Sequence, residues 1–448
     1  MQGRLNTFQK SMLKWNDMHP YNAVHAVQVA GGLDLARMRT CLATVMEKHG
    51  FARLSLDRER YTFQYADRPG QVQIQTLAAP PVGDWVQAEK PSVDESGQVA
   101  FCALVAEMER QLNSPFERDP TFNPFRFLVL PAKDSFYLGL VYFHPIADAE
   151  SAVWLLRDVV ALYAGNSSDT NDRFQLYPEA GTHFLRRHPG VVVRKLLSLA
   201  GQIRNLRHSH RPHYADISDM TNGFACCSLA PEDLTSVVTT AKSWGVTVND
   251  VFLSLLLVSL SACSATRAES KKRSKLSLGC IVNIRKDLNL ERRRPFGLFL
   301  GSFIITHQVP DGVSLRHLAE DIRQQTLQIK RKKLYMATPL ELGIARFAMR
   351  RVSPASQKKF YRKNYPLCGG ITNMNLNLLW EQAGQHAMLD YFRGVSTGPA
   401  TPLVLSATTV GQHLNMGWSY RTTVFSKTMI DEIVCRFQEQ VRELPNLV

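Results

Sequence analysis

The sequence predicts an α/β protein made of two units of similar size. Apolar runs that read as strands alternate with helical patterns along most of the chain. That alternation occurs twice. Between the two occurrences the composition changes: Ala164 to Asp172 is turn-forming, and Gly181 to Ala215 contains no acidic residue. The expected units are therefore 1–165, a basic linker and bridging helix at 166–215, and 216–448. A chain of 448 residues has room for two or three domains.

In the first unit, Leu13 to Asn22 leads into a strand, Ala23 to Ala30, turned by Gly31-Gly32. Asp34 can cap a helix with Leu35, Met38, Leu42, Val45 and Met46 on one side, ending at Lys48-His49-Gly50. His19, His25 and His49 read as structural or surface residues. Residues 80–100 read as loop, and a helix follows near Phe101 to Leu112. The strand Phe125 to Leu130 then turns through Pro131–Ser135 into the apolar run Phe136 to Phe143. That run reads as a buried strand, and it stops at His144-Pro145 because proline cannot donate to a sheet ladder. Ser151 reads as the cap of the next helix, which carries Val153, Leu156, Val160 and Tyr163 at helical spacing.

The acid-free stretch holds Arg186, Arg187, Arg194, Lys195, Arg204, Arg207 and Arg211. Val192, Leu196, Leu199, Ala200, Ile203 and Leu206 fall on one helical face. Most amphipathic helices pack on their own core, so a bridging helix with this face buried is the expectation. Peripheral membrane contact through residues 186–211 is the alternative. In the second unit, Pro231 suits a first helical turn and Gly245 a stop. Thr247-Val-Asn-Asp250 opens an apolar helix, Val251 to Leu260. Leu276 to Ile284 reads as a strand ending at Arg285, and Arg292-Arg-Arg-Pro-Phe-Gly-Leu-Phe-Leu-Gly301 leads into another, Ser302 to His307. Helices are expected from Ser314 to Lys332 and from the capping box Thr338-Pro-Leu-Glu341. Leu403–Thr409 and Leu414–Tyr420 form a hairpin around Gly411, and a helix with Ile430, Ile433, Phe437 and Val441 closes the chain.

With 45% hydrophobic and 21% charged residues, the chain belongs with globular proteins rather than disordered ones. Its start has no apolar signal core, and Val251–Leu260 is too short to span a bilayer, so a cytoplasmic monomer is expected. The eight cysteines show no Cys-x-x-Cys spacing, so no metal is expected. The net charge of +14 favours anionic partners: nucleic acid, anionic lipid, coenzyme A or acidic carrier proteins. Zinc-finger spacing, an RNA-recognition aromatic motif and a phosphate loop are all missing, so nucleic acid is not expected as a partner.

The segment Phe143-His144-Pro-Ile-Ala-Asp148-Ala149 resembles the His-His-x-x-x-Asp-Gly motif of the chloramphenicol acetyltransferase-like superfamily. That superfamily includes condensation domains of nonribosomal peptide synthetases and the wax ester, polyketide-associated and BAHD acyltransferases. The first His is replaced by Phe143 and the final Gly by Ala149. Ser114-Pro-Phe, Asn123-Pro-Phe-Arg, Thr247-Val-Asn-Asp-Val251 and the Gly-x-Phe segment at Gly297 extend the resemblance over nearly the whole chain. It implies two related α/β sandwiches with a channel between them. It further implies that His144 is a general base and that Asp148 orients its loop by pairing with Arg285. Asn373 lies in a segment like the family's Ser-Asn-x-Gly stretch and ranks first as oxyanion donor, ahead of Ser406 and Thr408. The implied reaction moves an acyl group from a coenzyme A or phosphopantetheine carrier-protein thioester to a hydroxyl or amine of a small-molecule or lipid acceptor. It needs no bound cofactor and no acyl-enzyme, and no Gly-x-Ser-x-Gly elbow is present. Arg292, Arg293 and Arg294, just before the Gly-x-Phe segment, would hold the anionic donor. Two rivals stand beside this reading: a non-catalytic docking scaffold, suggested by Phe143 and Ala149, and a nucleic-acid binder, suggested by charge alone.

Overall fold

The computed structural model describes residues 2–65, 72–77, 95–116, 121–165, 173–176, 185–264, 270, 272–290, 294–349, 352–380 and 387–447. Helix α1 (Thr7–Asn16) precedes strand β1 (Asn22–Ala30) and helix α2 (Leu35–His49). Asp34 caps α2 through the Arg37 amide, and Gly50 ends it in the left-handed region at φ 75°. Next come β2 (Ile74–Thr76), α3 (Glu95–Asn113), β3 (Phe125–Pro131), β4 (Ser135–Phe143) and α4 (Ala149–Tyr163). Every residue of β4 is buried, so its apolar run has core on both faces. The cap of α4 is Asp148, whose carboxylate accepts from the Ser151 amide. Ser151 was expected in that role, but it lies one turn inside the helix and bonds elsewhere.

The connection carries α5 (Pro189–Arg207), which buries Val191, Lys195 and Leu206. The expected burial of its apolar face is only partial: Leu206 is buried and Val192 and Leu199 are half-buried, but Leu196, Ala200 and Ile203 are exposed, as are Val193 and Leu197, the last at 76%. The inner side is shared with Lys195, which turns in to an ion pair with Glu341. No single described helix is long and apolar enough to cross a membrane.

The rest of the chain forms β5 (Asn222–Leu229), α6 (Pro231–Ser243), α7 (Val248–Ala262), β6 (Leu276–Asn283), β7 (Leu300–His307), α8 (Leu315–Arg331), α9 (Thr338–Met349), α10 (Pro354–Asn364), β8 (Gly369–Asn375), β9 (Met388–Val395), β10 (Leu403–Val410), β11 (His413–Arg421) and α11 (Lys427–Glu443). Six strands make the second sheet, in the order β5-β11-β10-β8-β6-β7. The first sheet has five strands, in the order β9-β1-β4-β3-β2. Strand β9 thus belongs to the first sheet although it lies in the expected second unit. It pairs antiparallel with β1, Arg393 opposite His25 and Val395 opposite Ala23. Tyr391 and Phe392 of β9 accordingly sit in the first core, while the second core is built on α7, α11 and the second sheet. A two-residue parallel pairing, Pro295–Phe296 with Gln175–Leu176, adds another crossing between the halves.

Candidate active site

The site grows out of the end of β4. Along an antiparallel sheet, alternate residues share a face. Register places Tyr142 opposite Ala23, Leu140 opposite His25, and His25 opposite Arg393. Ala23, His25, Tyr142, Arg393 and Val395 therefore project from one face, and His144 continues the alternation just past the strand end. All six line one cavity of about 250 Å3 at the junction of the two halves. The opposite wall comes from β6, β7, β8 and β10, and from α1, α9 and α10. Phe143 points the other way, into a cluster with Phe116 and Phe122. The replacement of the motif's first His thus falls behind the sheet, away from the cavity.

His144 begins a one-turn 3-10 helix, His144–Ile146. Its amide donates to the Tyr21 carbonyl at 3.1 Å, and Gln9 of α1 donates to the Pro145 carbonyl at 3.0 Å. The ring Nδ1 lies 3.1 Å from the Ala147 carbonyl oxygen. A carbonyl can only accept, so Nδ1 carries the hydrogen and Nε2 keeps its lone pair. The Tyr21 ring packs 5.3 Å from the imidazole. Burial lowers the His144 pKa to about 4. The ring is therefore neutral at pH 7.

Asp148 fixes this loop from below. Its oxygens accept from Arg285 Nη1 at 2.8 Å and Nη2 at 2.9 Å, from the Ser151 amide at 3.0 Å and from the Phe299 amide at 2.9 Å. Its own amide donates to the Gly297 carbonyl at 2.9 Å. Arg285 also donates to Ser151 Oγ, and its guanidinium lies over Trp154 and Phe299. Such a bidentate pair, with the carboxylate matched on both oxygens, is what lets two charges be buried together. The segment Gly297–Phe299 is thereby locked to the start of α4.

The other candidate residues fall differently. Asn373 is exposed and is not part of the cavity wall, whereas its neighbour Thr372 is. In a strand adjacent side chains take opposite faces, so the oxyanion role first given to Asn373 does not fit its placement. Ser406 does line the cavity, and Thr408 is buried, accepting from Arg393 Nε at 2.6 Å. Arg294 turns inward: its Nη2 bonds both Asp158 oxygens, at 2.8 and 2.9 Å, beside Phe174. This placement does not offer its charge to a donor in the cavity. Arg292 and Arg293 lie outside the described residues.

Two residues of the site were not singled out in the sequence. His25 was read as structural, yet it lines the cavity. Its Nδ1 is 2.6 Å from the Tyr391 hydroxyl, and its Nε2 is 3.3 Å from that of Tyr142. Burial, with Arg393 and His144 nearby, pulls its pKa well below the usual imidazole range. Arg393 could have been found only by knowing that β9 pairs with β1. A charged residue inside Tyr391-Phe-Arg-Gly-Val395 was the available hint.

Replacing Arg285 with Met leaves Asp148 buried without its cation. Urea unfolding should show a loss of about 3–5 kcal/mol. Adding Asp148→Asn should return part of that loss, giving a coupling clearly above the ~0.5 kcal/mol scatter of independent sites. Strict additivity of the two changes would contradict the pairing.

No model of a known protein family matches the sequence, and no curated protein sequence matches it. Solved structures do. The condensation domain of the Monacolin K polyketide synthase MokA matches with a TM-score of 0.68 at 12% identity, covering 100% of this chain and 98% of that one. The cyclization-docking bidomain of the nonribosomal peptide synthetase EpoB from Sorangium cellulosum gives 0.70 at 13%, covering 99% and 84%. The first condensation domain of the calcium-dependent antibiotic synthetase gives 0.68 at 13%, covering 99% and 97%. The chain therefore has the condensation-domain fold, a two-half α/β architecture.

Proposed function

We propose that this chain is an acyltransferase, moving an acyl group from a coenzyme A or carrier-protein thioester to a hydroxyl or amine acceptor with His144 as general base. The observation that carries the reading is the tautomer of His144. Its Nδ1–H is held by the Ala147 carbonyl, which leaves Nε2 as an acceptor on a ring that lines the cavity. An alcohol or amine that meets Nε2 can pass it a proton while attacking the thioester carbonyl carbon. The tetrahedral intermediate carries the negative charge on the former carbonyl oxygen, for which Ser406 is the hydroxyl we assign. Collapse breaks the carbon–sulfur bond, and the imidazolium returns the proton to the thiolate. Asp148 and Arg285 are positioning residues, since neither touches the reacting atoms. The structural neighbours include condensation, cyclization and epimerization domains, which makes a carrier-bound donor a natural alternative to free coenzyme A.

The exposed face of α5 supports a place for this reaction. Val193, Leu196, Leu197 and Ile203 lie uncovered among Arg194, Arg204 and Arg207. An apolar stripe flanked by cations suits an anionic lipid surface. The protein should co-sediment with vesicles containing phosphatidylserine and much less with pure phosphatidylcholine. Replacing Leu196 and Leu197 together with Ser should abolish that binding without changing thermal stability. Equal binding to both lipids would count against the assignment.

The catalytic reading is tested by thiol release from acyl-thioester donors in the presence of an acceptor. His144→Ala should cut the rate by about 10²–10⁴-fold, the usual worth of a general base. The wild-type kcat/KM should hold across neutral pH. Its acid limb should fall near pH 4, not near 6.5, because the base works only when neutral and burial keeps it neutral down to about 4. Undiminished turnover in the variant would remove His144 from the mechanism.

A further inference from the structure

Arg393 is 4% exposed and lines the cavity that holds His144. Its Nε donates to Thr408 Oγ1 at 2.6 Å, and its Nη2 donates to the carbonyls of Ala407 at 2.6 Å and Thr372 at 2.9 Å. Its Nη1 makes only a long contact, 3.4 Å, with Thr372 Oγ1. A guanidinium has five N–H groups, so Nη1 retains one for another acceptor. None of these partners is charged, and among the described residues no carboxylate pairs with Arg393.

The other inward arginines differ. Arg285 has Asp148 and Arg294 has Asp158. Arg421, also bonded to carbonyls, feels the charge of Asp219. Around Arg393 the titratable neighbours are His25, Tyr142 and Tyr391, all neutral at pH 7. Glu341 is an acid of the cavity wall, but it already pairs with Lys195. A desolvated cation without a counter-charge is costly. Burial lowers the pKa of Arg393 only to about 10, so it keeps its proton at pH 7.

We propose that the molecule seated beside His144 carries a free carboxylate, and that Arg393 receives it. That this molecule is a substrate rests on the acyl-transfer function proposed above. The remainder of the wall includes Phe8, Met12, Leu300 and Ile304, so the molecule is an amphipathic acid: an apolar body with one anionic group. The carboxylate can belong to the acceptor, as in a hydroxy or amino acid, or to the far end of a dicarboxylic acyl group. An amino acid tethered to a carrier as its thioester has lost its α-carboxylate, which sets this site apart from one built for carrier-bound aminoacyl acceptors.

Octanoate and octanamide, matched in shape and differing in charge, are the probes. Calorimetry on the full chain should show octanoate binding at least ~10-fold tighter, the worth of a hydrogen bond to a charged group. Arg393→Gln should erase the preference while leaving octanamide binding unchanged, and Arg393→Lys should restore part of it. If the Gln variant does not fold, the wild-type comparison still decides. Equal binding, preference for the amide, no octanoate binding at millimolar concentration, or a preference that survives in folded Arg393→Gln would each overturn the proposal. In turnover, competition of octanoate with the acceptor assigns the carboxylate to the acceptor, and competition with the thioester assigns it to the acyl group. Binding needs no turnover. A protein that binds octanoate but transfers no acyl group refutes the transferase reading and keeps the site. One that transfers acyl groups and ignores the carboxylate refutes the site alone.

Discussion

One buried ion pair, Arg285 with Asp148, sits where the two halves meet and beside the cavity that His144 lines. Asp148 ends the loop that His144 begins, and it also caps α4. Arg285 follows β6 of the other half. Desolvating two charges is costly, and the cost is offset only when every lone pair and hydrogen is matched. The Asp148 carboxylate is matched by four accepted bonds, two of them from backbone amides. The bond from the Phe299 amide, with the Asp148 amide donating to the Gly297 carbonyl, fixes Phe299 and Gly297 to the start of α4. His144 is thus held from both sides, by β4 before it and by the Asp148 anchor four residues later. The general-base role proposed for His144 requires such fixed geometry.

Strand β9 supplies the second constraint. It leaves the second half, completes the first sheet, and brings Arg393 to the face shared by His25, Tyr142 and His144. The fit is close: a Cβ added at Gly417 would lie 2.2 Å from the Arg393 carbonyl oxygen. The glycine lets β11 run against β9 at that point. Arg393 then bonds β8 and β10 of the second sheet, so the strand is stapled to both halves. The cavity is a product of this crossing, because neither sheet encloses it alone.

What could be read from the sequence follows the range of the interactions. The apolar run of β4, its stop at His144-Pro145, the Asp34 cap and the Gly50 stop all depend on neighbours a few residues away, and all were legible. The pattern of strands and helices in two halves carried the fold class for the same reason. Partner choice in a sheet is non-local, so nothing in Met388–Val395 announces that it joins β1. His25 and Arg393 went unrecognised with it. Parity decided Asn373: the right segment was identified, but the residue one step before it faces the cavity. Ser151 and Asp148 are both good cap formers; Asp148 takes the role because it precedes the helix and accepts from the Ser151 amide, while the Ser151 hydroxyl bonds Gly297 and Arg285. The apolar side of α5 was expected to pack inward. A buried lysine took part of that side because Glu341 of α9 was there to meet it.

The central claim is direct transfer from thioester to acceptor, with the protein supplying a base and no covalent intermediate. Intact-protein mass spectrometry on samples quenched during turnover, with parallel analysis of the small molecules, tests it most directly. The account predicts an acylated acceptor, a stoichiometric free thiol and a protein mass that does not change. An acyl adduct on the protein that forms and decays at the rate of turnover, or a thioester consumed only to the free acid, would contradict it.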